Sequence, residues 1–280
     1  MTIVPAPRRS LACGKWLTLA AMACAAPEIA NAGPGIEAEP TDEIGRVTTP
    51  PDPKGSNHFT LGAGVAATPH FQGSDGYQGE PVPLVDAQFG RFFARSGEGI
   101  GLDAIETKTF RAGLAVNWMQ GYDDDDAPRG LDEVKDALGA RLFASVRFKG
   151  TVTTFAATKA ITESERGLLL NASLARPVPL TSRLTIVPSI GTTWADEDYM
   201  VSYFGVDPAE AAVSGFSPYR PGSGFKDVSF RLAAGYRITN KTSIVAFAGV
   251  THLLGDAADS PFIERKTQPL GLVGLTYSFK

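Results

Sequence analysis

The chain has 280 residues and a formal net charge of −4, from 26 Lys and Arg against 30 Asp and Glu. That acidic balance argues against a nucleic-acid partner. Both cysteines, Cys13 and Cys24, fall in an amino-terminal segment that reads as an export signal, so a disulfide scaffold and thiolate chemistry are excluded from the mature chain.

In that segment Arg8, Arg9 and Lys15 form a positive region. Trp16 to Ala26 is an apolar run too short to span a bilayer, and Ala30-Asn31-Ala32 is a cleavage motif, which places cleavage after Ala32. Residues 1–32 take three basic residues and one acid with them, so 26 − 30 = −4 becomes 23 − 29 = −6. A membrane anchor or a lipoprotein on Cys24 is the alternative, but the run is short and the residues before Cys24 lack the usual leucine. Residues 33–57 are rich in proline and acids and read as a flexible periplasmic lead-in. No later apolar run approaches 18 residues, so no transmembrane helix is expected.

From His58 the chain alternates. Phe59, Leu61, Ala63 and Val65 oppose Thr60, Gly62 and Gly64. The same period of two recurs at 110–118, 142–148, 168–174, 184–190 and, most cleanly, 228–238. Weaker candidates lie at 81–94, 98–106, 150–161, 198–204 and 241–252. The last ten residues, GLVGLTYSFK, place Val273, Leu275, Tyr277 and Phe279 on one face beside the chain end. About twelve strands of roughly ten residues imply an all-β, antiparallel up-and-down barrel across the outer membrane of a Gram-negative cell, in contact with its lipid, over 58–280. A soluble sandwich or lipocalin-like barrel is the alternative.

If the first strand rises from the periplasm, the outer connections are Thr68–Glu80, a turn near Thr107, Lys149-Gly150, Pro177–Ser182, Gly205–Gly224 and Leu253–Gln268. The periplasmic ones are Ser96–Glu98, Gly121–Asp136, Thr162–Glu165, Ala195–Asp198 and Thr239–Lys241.

Arg111, Arg141, Arg147, Arg183, Arg231 and Arg237, with Asp227, fall on the face opposite the large apolar residues, hence in the lumen. Charge is costly against lipid, by about 2–4 kcal/mol at the midplane. They form either a basic lumen for small anionic solutes or a salt-bridge network with Asp227, Asp103 and Asp86; buried charge is normally paired, which weighs toward the network. Asp123, Asp124, Asp125 and Asp126 lack the spacing of a calcium-binding loop, since Pro128 and Val134 stand where glycine and glutamate are needed. With Leu131, Val134 and Leu138 they suggest an acidic and apolar knob, read as a periplasmic docking element or as a plug. His58, His70 and His252 are the only histidines, and no Walker loop, Gly-x-Ser-x-Gly or His-Glu-x-x-His is present, so no catalytic, cofactor or metal residues are assigned. The Gly205–Gly224 loop, ringed by aromatics, is the candidate gate.

Three stretches resemble one family. LGAGVAATPHFQGSDGYQGEPVPLVDAQF at 61–89, YFGVDPAEAAVSGFSPYRPGSGFKDV at 203–228 and LLGDAADSPFIERKTQ at 253–268 are similar, in order, to motifs of the MipA/OmpV family of outer-membrane proteins. The resemblance implies a non-enzymatic barrel that serves as a scaffold linking a lytic transglycosylase to a murein synthase at the inner face of the outer membrane. It also allows a narrow channel or uptake protein for small solutes, antibiotics included. It implies that the carboxyl-terminal aromatics, Tyr277 and Phe279, are read as an assembly signal. Family chains usually end on the aromatic, whereas here Lys280 follows it.

Overall fold

The computed structural model describes residues 57–122 and 126–279. The expected export signal, the lead-in up to residue 56, three of the four consecutive aspartates and Lys280 lie outside them.

Thirteen strand segments form one antiparallel sheet: β1 (His58–Pro69), β2 (Tyr77–Phe89), β3 (Phe92–Arg95), β4 (Gly99–Glu106), β5 (Phe110–Met119), β6 (Ala137–Phe148), β7 (Thr151–Ala160), β8 (Leu168–Ala175), β9 (Val178–Pro179), β10 (Leu184–Ala195), β11 (Gly224–Arg237), β12 (Thr242–Leu253) and β13 (Thr267–Phe279). β8 and β9 both pair with β10 and are two pieces of one wall strand, interrupted at Arg176-Pro177. β1 pairs with β13 and β10 with β11, so the sheet closes into a twelve-stranded barrel. Among the described residues no helix is long and apolar enough to cross a membrane.

The alternation sets which side chains meet which solvent. Leu114, Val116 and Trp118 of β5, Leu142 and Val146 of β6, and Val273, Leu275, Tyr277 and Phe279 of β13 all point outward and are exposed. Their neighbours Asn117, Arg141, Ser145 and Thr276 point inward and are buried. An apolar outside around a polar inside is the reverse of a soluble barrel and fits a lipid surround.

The count of twelve is reached by a different route from the one the sequence suggests. The stretch 81–94 holds two strands, not one, because Gly90 (φ 59) turns the chain between Phe89 and Phe92. The stretch 198–204 is a helix, not a strand. The missed strand inverts the up-down phase of everything from residue 90 to residue 197, and the spurious one restores it. Gly121–Asp136, Thr162–Glu165 and Ala195–Asp198 therefore share the end of the long loops. The turns near Thr107, at Lys149-Gly150 and at Pro177–Ser182 share the end of His58 and Phe279. Short turns are periplasmic and long loops extracellular in such barrels, so all the long connections now lie outside.

One wall segment is low. β3 pairs with β2 only over Asp86–Phe89, leaving the upper half of β2 without a partner on that side. Ser96 N donates to Val85 O at 2.9 Å, so the odd-numbered residues of β2 aim their backbone groups there. Pro81 and Pro83 occupy two of those positions. Proline has no N–H to leave unsatisfied at an open edge.

Candidate functional site

Inward side chains of the wall pack together inside the barrel. Ala66, Leu84, Val187, Ala233, Val245, Phe247 and Leu272 form an inward apolar cluster, and Val187, Ala233 and Val245 are each only 1% exposed. Glycine at 274 permits this crossing, because a Cβ there would sit 2.6 Å from Leu84 Cδ1.

Toward the termini end, β2 to β5 hold an ionic network. Arg111 Nε lies 2.6 Å from Asp103 Oδ1, and its Nη2 lies 3.0 Å from Glu98 Oε2. Arg95 Nη1 reaches the same Glu98 oxygen at 2.9 Å, while its Nε reaches Asp86 Oδ1 at 3.1 Å. Both guanidinium groups stack on aromatic rings, Arg95 and Arg111 on Phe93 and Arg111 also on Phe143. Asp86, Glu98 and Asp103 are all buried. Each arginine thus bridges two acids, which compensates the charges for leaving water.

Arg141 and Arg231 are buried on the inward face, whereas Arg147, Arg183 and Arg237 are exposed. These last three stand at or beside the turns and do not line the lumen. The alternation places them in phase with the lumen, but each lies at a strand end, beyond the wall that would bury it. Asp227 is buried with its neighbour: Lys226 Nζ lies 2.6 Å from Asp227 Oδ2. A register shift at Thr193/Trp194 puts an extra residue into β11 opposite β10. That bulge turns two consecutive side chains inward, which alternation alone does not anticipate. Arg95, Glu98 and Lys226 went unassigned in the sequence; their signal was charge within an otherwise apolar, strand-like run.

A cap of loop side chains closes the long-loop end. Helix α1 (Glu197–Phe204) starts at Asp196, whose side chain accepts from Tyr199 N at 3.0 Å. Its inner face, Tyr199, Met200, Tyr203 and Phe204, is at most 4% exposed. These residues pack against Phe71, Tyr122, Leu131, Val134, Leu253 and Phe262. Polar ties fix the layer from below. Lys226 Nζ donates to Gln72 Oε1 at 3.0 Å, and Gln72 Nε2 donates to Tyr199 Oη at 3.0 Å. Arg166, 1% exposed, donates to Gln120 O at 2.9 Å and stacks over Tyr203 at 4.4 Å.

Leu131 and Val134 thus belong to the core of this cap, not to a periplasmic knob. The same end holds Asp126, whose carboxylate pairs with His70. Asp123, Asp124 and Asp125 lie outside the described residues. Helix α2 (Pro208–Ser214) opens with a capping box between Asp207 and Glu210. Glu210 also accepts from Asp132 N at 3.1 Å, tying the two loops together. Helix α3 (Gly255–Ala258) buries Ala257 and Ala258 against the cap.

Above this layer the loops leave a half-open groove of ≈ 740 Å³. Tyr122, Leu131, Val134 and Val206 form its apolar lining, and Asp132, Glu133, Glu163 and Glu165, interspersed with Lys135, Arg166 and Arg220, its predominantly acidic rim. Burial, then the Glu210 carboxylate, hold the Tyr122 hydroxyl well above the usual tyrosine range, so it stays neutral. Among the described residues no cluster of three or more His, Cys, Asp or Glu could hold a metal. The histidines stand apart: His58 faces Asp86, His70 faces Asp126 and His252 faces Thr267.

The opposite end is basic. The turn after β2 carries Arg91 and the one after β4 carries Lys108. Arg147 lies at the end of β6 and Lys149 follows it, Arg176 and Arg183 flank β9, and Arg237 and Lys241 flank the turn after β11; all eight are exposed. Glu106 is the one acid among these turns. At the loop end, by contrast, Glu133, Glu163, Glu165, Asp198, Asp256 and Glu264 are exposed.

The chain is similar to several known proteins. Over 227 residues the chain is 28% identical to the MltA-interacting protein of Escherichia coli K12, covering 79% of this chain and 90% of that one. It is 27% identical to the outer membrane protein OmpV of Vibrio cholerae, covering 68% of this chain and 69% of that one. Among solved structures it aligns with the KdgM porin at 8% identity and a TM-score of 0.40, covering 79% of this chain and 99% of that one. The family model described as MltA-interacting protein MipA matches residues 61–279. The chain is therefore an outer-membrane β-barrel that belongs to the MltA-interacting protein MipA family.

Proposed function

We propose that this protein is a non-conducting, non-enzymatic barrel that anchors peptidoglycan-remodelling enzymes, a lytic transglycosylase and a murein synthase, at the periplasmic face of the outer membrane. The observation that supports the reading is inward packing under a cap: Leu84, Val187, Val245 and Phe247 are buried inside the barrel, and the inner face of α1 is buried at the long-loop end. The name of the Escherichia coli relative supports the partner class. The docking face in this reading is the turn end, since Gly121–Asp136 lies at the other end. Photo-crosslinkers at Thr181 and Asn240 test it, with one at Asp259 in the outer loops as control. Capture of a murein hydrolase from the two turn positions alone is expected; capture from none of them overturns the proposal.

A second reading, uptake of a small solute, has one observation in its favour. The outer groove joins an apolar lining to a predominantly acidic rim, which suits a cationic amphipathic molecule. In this reading the cap must move for passage.

A further inference from the structure

We propose that the basic ring at the periplasmic end is a binding surface for anionic phospholipid headgroups of the inner leaflet. It shares the turn end with the docking face proposed above, and engages lipid at the level of the outward aromatics while an enzyme would meet the tips of the turns.

The first argument is distribution. Every hairpin turn at this end contributes at least one exposed Lys or Arg, so the positive charge runs round the circumference. A folded partner covers one side of a ring this wide; a headgroup layer meets all of it. The enrichment also arises in a chain whose net charge is negative, and the exposed acids Glu133, Glu163, Glu165, Asp198, Asp256 and Glu264 stand at the far end.

The second argument is depth. The basic side chains alternate with outward aromatics at the same level of the wall. Phe92 beside Arg91 is 67% exposed, and Phe148 beside Lys149 is 69% exposed. Lys149 Nζ lies 5.3 Å from the Phe148 ring centroid, and Lys241 Nζ lies 6.0 Å from that of Tyr277. Aromatics of this kind mark the membrane interface, and long cationic stems extend from there toward headgroup phosphates. A ring set at that height faces phosphate oxygens before it faces the periplasm. Anionic headgroups keep their charge at any periplasmic pH, so the attraction depends on salt and lipid composition.

The test uses the purified mature chain in a neutral detergent. Native mass spectrometry counts the lipids retained when phosphatidylglycerol or phosphatidylcholine is added. The wild type is expected to keep phosphatidylglycerol several-fold over phosphatidylcholine, and the preference should shrink as salt rises. In Arg147→Gln/Lys149→Gln/Arg183→Gln/Arg237→Gln that several-fold preference should be largely lost. The positions are exposed residues in or beside the turns, and heat-modifiable gel mobility confirms that the barrel has folded. If that variant folds poorly, Lys149→Gln/Lys241→Gln gives the same readout with two changes. A loop-end control, Lys135→Gln/Arg220→Gln, should keep the wild-type preference. Equal retention of the two lipids, or a preference untouched by the ring substitutions, overturns the proposal. So does ring-dependent binding to isolated murein sacculi without lipid preference, which would give the ring to the cell wall instead. Loss of enzyme capture with lipid preference intact would sink the scaffold reading alone.

Discussion

Replacing Lys226 by Met tests how the cap is held. Its ammonium is 2% exposed and lies 2.6 Å from Asp227 Oδ2. At an effective dielectric of about 20 the gross attraction is about 6 kcal/mol, most of it offset by desolvation of the two ions. Methionine matches the stem but leaves the Asp227 carboxylate buried without that cation. The expected loss is about 3–5 kcal/mol, the usual consequence of removing one member of a buried pair. The double variant Lys226→Met/Asp227→Leu removes both charges and should recover to within about 1–2 kcal/mol of wild type. Because Lys226 also holds Gln72, and Gln72 holds Tyr199, the single variant should loosen α1 as well. Urea unfolding in phosphatidylcholine vesicles reads the stability through the fluorescence of Trp118 and Trp194, and protease sensitivity at residues 205–223 reads the cap. A single variant that loses less than about 1 kcal/mol, or a double variant no better than the single, refutes the reasoning.

Leu142, 63% exposed at mid-strand, should tolerate Arg badly: Leu142→Arg is expected to cost about 2–4 kcal/mol in vesicles, whereas a soluble barrel would lose almost nothing. Gly130 has φ 85, and a Cβ there would sit 2.8 Å from Ser214 Cα. Gly130→Ala should therefore cost about 1–3 kcal/mol of local order, seen as faster amide exchange in residues 126–136 and α2 with the barrel strands unchanged. Phe279→Ser should lower the yield of protein in the outer membrane if Tyr277 and Phe279 act as an assembly signal, and trimming Lys280 should leave that yield unchanged.

The barrel was legible in the sequence because its rule is local: a period of two with large apolar residues on one face survives at 110–118, 228–238 and 271–279 without knowledge of any contact. What escaped depended on departures from that rule. At 199–204 the apolar residues fit a strand and a helix equally well over six positions. The deciding signal was Asp196-Glu197-Asp198, a helix-start cluster just upstream. At 81–94 a single Gly-Arg turn hides within a long apolar stretch. Those two misreadings cancel in the strand count but not in the sidedness, so the acidic loop at 121–136 moved from one end to the other. The lumen was half legible. Arg111 and Asp103 stand in the expected phase, but Arg147, Arg183 and Arg237 share that phase and end at the rim. Phase tells which face a side chain takes; it does not tell how far along the wall the barrel ends. Lys226 could not be placed without the bulge that turns it inward.

The central claim is that this barrel, packed inward beneath its cap, does not conduct. Planar-bilayer recording of the refolded mature chain tests it most directly. No conductance steps should appear with the cap intact, at either polarity. Steady, voltage-independent open steps from every inserted molecule would contradict the account.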